Sequence, residues 1–215
     1  MTVQALTQAQ SSSREKTLLT SLLLSAPGPL VTGWAVLSSS SSTQLADFIR
    51  RGIELGAIFI SWWVFRRLRR DPEAGEAQRL RLERAAGLSA AGAMACSGML
   101  LLAVALLRLP DFEPVGSVIP GLVIAVLGLL TNGWFWRRYA ALTREQYSAV
   151  IAAQQQLYRA KTAVDLCVTL ALGAVALAPA HPATRYVDLL GSALVAAYLL
   201  WSGLRAGRRV LGSLS

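Results

Sequence analysis

The sequence predicts an all-α, polytopic membrane protein with six transmembrane helices, on three observations. First, 54% of its 215 residues are hydrophobic and only 15% are charged, where a soluble domain carries about 25% charged residues. Second, the apolar residues gather into six runs, each close to the roughly 20 residues that span a bilayer. Third, the net charge of +9 sits in clusters at the ends of those runs and not over one face. The two tails and the second and fourth connections hold 15 of the 21 Lys and Arg residues; the odd-numbered connections hold two, Arg108 and Arg185. By the positive-inside rule both termini are then cytoplasmic and the number of spans is even. This distribution argues against a nucleic-acid partner and makes the lipid bilayer the first one.

Residues 1–16 are polar and serine-rich, end in Arg14 and Lys16, and read as a disordered cytoplasmic tail. The first run covers 17–37, and Pro27-Gly28-Pro29 in its middle predicts a kinked or discontinuous helix. A signal peptide with 18–24 as its apolar core is the competing reading; a poor cleavage site and the long polar leader speak against it. After a serine turn the second run covers 43–65, where Arg66, Arg67, Arg69 and Arg70 stop it and Asp71-Pro72 opens a loop. The third, 85–107, is rich in Gly, Ala and Ser, so its backbone can approach a neighbour closely. A short turn at 108–114 leads to the fourth, 115–138, which ends in an interfacial anchor of Trp134, Trp136, Arg137 and Arg138. The fifth, 147–177, has a polar, alanine-rich first half and an apolar second half. Residues 179–185 turn and the sixth run covers 187–205. Residues 210–215 form the closing tail, with no C-terminal soluble domain expected.

Charge inside this apolar frame marks the candidate site. Arg50 and Glu54 lie four residues apart in the second run, Lys161 and Asp165 four apart in the fifth. On a helix that spacing stacks each pair on one face. Ionisable groups at membrane depth cost a few kcal/mol or more each, so they turn to one another or to a cavity and stand as a functional-site hypothesis. The quartet is read as a present or former ion site. Asp47, one turn before Arg50 and four residues before Arg51, is a secondary candidate.

Around this quartet the sequence resembles the cation diffusion facilitator family. Leu45-Ala46-Asp47 is similar to the start of the family's "LADAxHxxxD" pattern in its second helix, and Arg81-Leu82-Glu83 to its "RxE" before the third. Asn132 matches an Asn in the fourth helix, and Lys161 with Asp165 keeps the "HxxxD" spacing of the fifth. The stretch from Val187-Asp188 to Leu204-Arg205 looks like the sixth. The likeness covers about residues 30–210. It implies a six-helix fold in which helices two and five hold a tetrahedral divalent-cation site, usually for zinc, coupled to proton antiport. Carried over by position, that site is Arg50, Glu54, Lys161 and Asp165. The cation would be a substrate; no cofactor is implied. Arginine offers only donors and cannot ligate a metal, and lysine can only when neutral; Glu54 and Asp165 remain as the possible metal ligands.

Three readings of the quartet stay open. In the first, the two cations neutralise the two carboxylates and leave a degenerate transporter, structural or regulatory, paired with itself or with a full-length relative. Alternatively the protein is an active cation transporter of altered selectivity using Glu54 and Asp165. Or the pairs only register helices two and five. Among other residues, Cys96 and Cys167 read as small membrane-core side chains, His181 as a loop residue and Asp188 as a helix-start residue. No G-x-S-x-G, H-E-x-x-H, Walker or G-x-G-x-x-G pattern is present, so an enzyme is not expected. Short loops and Ala/Arg/Leu-rich usage fit a bacterial cytoplasmic membrane.

Overall fold

The computed structural model describes residues 3–38, 42–71, 75–107, 119–177 and 183–212, and its regular structure is entirely helical. Seven helices occur among these residues: α1 (Val3–Ser25), α2 (Pro27–Ser38), α3 (Ser42–Arg70), α4 (Glu76–Leu107), α5 (Ile119–Glu145), α6 (Ala149–Leu177) and α7 (Ala183–Gly212). The first two share the first apolar run. Ala26 closes α1 through its N–H to the Leu22 carbonyl, 3.0 Å. Pro27 then opens α2 at the position where a missing N–H costs nothing. The proline-rich break thus divides the run into two helices.

Expectations at several helix ends are corrected. Residues 3–16 form the first half of α1 and are not a disordered tail. Three of their polar side chains find distant partners: Arg138 donates to Ser13 Oγ at 2.8 Å, Arg14 donates to the carbonyls of Leu142 and Gln146, and Glu15 pairs with Arg69. The arginines at 66–70 do not stop the second helix, since α3 runs to Arg70. Likewise α4 begins at Glu76 and not at 85, and α5 runs past the expected end at 138 to Glu145. α7 spans Ala183–Gly212, so 183–185 are not a turn, Asp188 lies inside the helix and 210–212 are not tail. Arginine is a good helix former; a basic cluster marks where a helix meets polar surroundings, not where its hydrogen bonding ends. The turn at 108–114, residues 115–118 and His181 lie outside the described residues.

Packing follows residue size. α4 packs closely along α7. A Cβ built on Gly203 would stand 2.7 Å from the Ala95 nitrogen and 2.8 Å from the Ala91 oxygen, and one on Gly98 would stand 2.9 Å from the Ala196 oxygen. The small-residue face of the third run is therefore used within the chain, against α7. α5 lies along α6, and α3 against α4. Between α1, α5 and α6 sits a buried aromatic group of Phe135, Tyr139 and Tyr158, ring centroids 5.1 to 6.2 Å apart. Ser21 and Tyr139 share a hydrogen bond of 2.7 Å across α1 and α5. Val64, Ala86 and Val150 join the arginine-rich ends of α3 and α4 to the start of α6.

Candidate functional site

Arg50 and Glu54 sit one turn apart on α3, and Lys161 and Asp165 one turn apart on α6, and the two helices present these pairs to each other. Glu54, only 7% exposed, is the hub. Arg50 Nη1 reaches its Oε1 at 3.2 Å, and Lys161 Nζ reaches its Oε2 at 3.2 Å, tying α6 to α3. Ser97, on α4, donates its hydroxyl to Glu54 Oε1 at 3.3 Å. One carboxylate thus meets two cations and a hydroxyl, and a charged acceptor makes each of those bonds stronger than a neutral one would.

Asp165 is held differently. Asn132 on α5 donates Nδ2–H to its Oδ2 at 2.6 Å. Gly128, one turn earlier, leaves the space: a Cβ there would stand 3.2 Å from that oxygen. No cation lies within 4.0 Å of Asp165 among the described residues, although it feels the charges of Lys161 and Arg50 at longer range. Both cations thus turn to Glu54. Asp47 lies on α3 before Arg50, and its side chain is outside the described set.

Two contributors escaped sequence reasoning. Ser97 was one of many small residues in its run. The Tyr158 ring lies 5.2 Å from Lys161 Nζ, and its i−3 spacing from Lys161 was the one available signal. A cavity of about 460 Å³ opens beside the cluster, lined by Arg50, Glu54, Asn132, Lys161 and Asp165 on its polar side and by leucine, isoleucine and valine elsewhere. A separate void of about 20 Å³ between Glu54, Ser97, Lys161 and Asp165 has room for about one water. Among the described residues no three His, Cys, Asp or Glu side chains converge as a metal-ligand group.

The distribution of residues defines the class. The charged quartet turns inward to this cluster, while Leu30, Val31, Leu130, Leu170 and Leu194 are all more than half exposed. Such a surface suits hydrocarbon and not water. One helix, α4, is also long and apolar enough to cross a bilayer by length and composition alone. This is the architecture of a helical integral membrane protein with a polar interior. A family model, the cation efflux transmembrane domain, matches residues 18–215, and the chain belongs to the cation efflux family. Members of that family are membrane-embedded cation transporters, not enzymes. A comparison with curated proteins finds no match.

Proposed function

We propose that this protein is a cation-efflux-family membrane protein whose ion site is filled by its own charges, so that it does not carry a divalent cation such as zinc through the α3–α6 cluster. The observation that carries this reading is the double engagement of Glu54, each oxygen of which already has a resident cation at 3.2 Å. A divalent ion at this place would bring two further positive charges beside Arg50 and Lys161. At about 4 Å and an effective dielectric near 20, each unit-charge contact costs about 4 kcal/mol. Arg50 cannot relieve this by losing its proton. The reading includes six spans, with α1 and α2 sharing the first, both termini on the arginine-rich cytoplasmic side, and a bacterial cytoplasmic membrane. The role is that of a structural or regulatory partner, of a second copy or of a full-length family transporter.

A second reading draws on Asp165. It borders the larger cavity with Asn132 as its near partner and no cation within 4.0 Å among the described residues. In that reading the protein transports a different ion, with Asp165 and Glu54 as its carboxylates and zinc/proton antiport replaced by another selectivity.

The test is ion flux into liposomes carrying the purified full chain. Zinc uptake driven by a pH gradient should not exceed that of protein-free vesicles. Robust zinc flux abolished by Glu54→Ala and by Asp165→Ala would overturn the first reading. Replacing Arg50 and Lys161 together with histidine should create zinc binding, seen by titration calorimetry; failure would count against the positional match to the family site.

A further inference from the structure

A second recess, about 570 Å³, lies at the arginine-rich end of the bundle between the first halves of α4 and α6 and the last half of α7. Its ionisable lining is Glu83, Arg84, Arg159, Arg205 and Arg209. Glu83 is engaged by Arg79 at 3.2 Å. None of the four lining arginines has a carboxylate partner among the described residues, so four positive charges share one concavity. Guanidinium forks match phosphate oxygens in particular.

The rest of the lining is mixed: Gln155, Gln156, Ser202 and the hydroxyls of Tyr147 and Tyr198 are polar, and the other residues are apolar. Alanines of α4 and α6 form its wall and Leu80 its edge. Trp201, also in the lining, is 55% exposed, and the Arg205 guanidinium lies 5.0 Å from its ring centroid. Arg66 over Trp62 at 5.1 Å and Arg67 over Trp63 at 5.6 Å form similar pairs at the arginine-rich end of α3, which packs with the starts of α4 and α6. Tryptophan and arginine together at that end of α3 mark the headgroup region of a bilayer, and Gly87 of α4 against Val210 of α7 brings the outer part of the recess to it. A site with guanidinium groups beside an apolar wall at that level suits a molecule with a phosphate at one end and hydrocarbon at the other. Free phosphate would use only half of it.

We propose that this recess binds the phosphate of an anionic phospholipid headgroup, held by Arg84, Arg159, Arg205 and Arg209. Basic pockets between transmembrane helices bind such headgroups in general. The site shares no residue with the Glu54 cluster, so the proposal stands or falls separately from the reading of ion transport.

The test is lipid retention by the delipidated full chain in detergent, counted by native mass spectrometry. Phosphatidylglycerol and phosphatidylcholine with identical acyl chains are added in turn, and inorganic phosphate in a third arm. The wild type should retain one phosphatidylglycerol in preference to phosphatidylcholine. Arg84→Gln combined with Arg205→Gln should weaken that retention by about ten-fold or more per arginine. Arg159→Gln, at an exposed position that tolerates substitution, should weaken it in the same direction and covers the case in which the double variant does not fold. Arg137→Gln with Arg144→Gln, exposed arginines outside the recess, should leave it unchanged. Equal loss in that control, equal retention of phosphatidylcholine, or displacement of the lipid by inorganic phosphate at about its own concentration would each overturn the proposal.

Discussion

Replacing Glu54 with glutamine removes one negative charge and keeps the shape. Arg50 and Lys161 are left inside the bundle, their side chains 18% and 15% exposed, without the acceptor that each meets at 3.2 Å. At an effective dielectric near 20, each contact at that separation is worth about 4–5 kcal/mol before desolvation is counted. Breaking a buried pair by removing one partner costs about 3–5 kcal/mol, because an uncompensated charge stays behind. For a chain of this size 1 kcal/mol moves the midpoint by about 2–4 °C, so Glu54→Gln should lower Tm by about 6–20 °C. The assay is thermal unfolding of the purified protein in detergent, at one scan rate for all variants because unfolding there is governed by rate. Lys161→Met in the same assay should cost less, since Arg50 and Ser97 still hold the carboxylate. The double variant should be no worse than Glu54→Gln alone, since it removes the stranded lysine charge. A Glu54→Gln midpoint within about 2 °C of wild type, or losses that simply add in the double variant, would refute the hub assignment of Glu54.

Other perturbations test the frame around the site. Gly203→Val should disrupt the α4–α7 contact, because its Cβ would stand 2.7 Å from a backbone nitrogen; the expected loss is about 3 kcal/mol or more, read as a fall in monodisperse yield. Gly56→Ala, where a Cβ meets nothing within 4 Å, should instead stabilise by about 0.5–1 kcal/mol. Arg14→Ala removes two hydrogen bonds to the last carbonyls of α5 and should cost about 1–3 kcal/mol, with faster hydrogen–deuterium exchange at 3–25 and 142–146. Asn132→Leu deprives Asp165 of its 2.6 Å donor and should cost about 1.5–3 kcal/mol, a loss that should shrink when Asp165→Asn is already present.

The four charged positions were legible because helical spacing and the cost of charge in lipid act locally: i and i+4 within one apolar run must share a face, and that face must turn inward. What stayed hidden depends on neighbours in space. Ser97 looks like any other small residue of its run until α4 places it beside Glu54. The leader 3–16 is polar enough to read as a tail, yet Ser13, Arg14 and Glu15 each find a partner on α3 or α5. No local pattern announces contacts more than fifty residues away. The helix ends were misplaced for a related reason, since arginine ends a lipid-facing stretch without ending a helix.

How the charges pair decides which reading of the site has the better support. Sequence alone suggests a quartet in which two cations neutralise two carboxylates, without saying which cation meets which carboxylate. The structure divides them. Glu54 takes both cations and becomes the bridge between α3 and α6, so any ion that enters must first displace a lysine that also registers the two helices. Asp165 is left with a neutral amide on one side and a cavity on the other. A protein that only needed to lock its helices would gain nothing from a carboxylate placed in that way, and burying it has a cost. Asp165→Asn is therefore the substitution that separates the readings. In a filled, inactive site it should leave the stability and every ion flux close to wild type, because the neutral pair with Asn132 remains possible. In a transporter of changed selectivity it should abolish whichever ion current the wild type carries, while the Glu54–Lys161 bridge and the fold persist. A screen of monovalent and divalent ions with these two proteins in parallel liposomes distinguishes them, and a wild-type current unaffected by Asp165→Asn would remove Asp165 from both accounts.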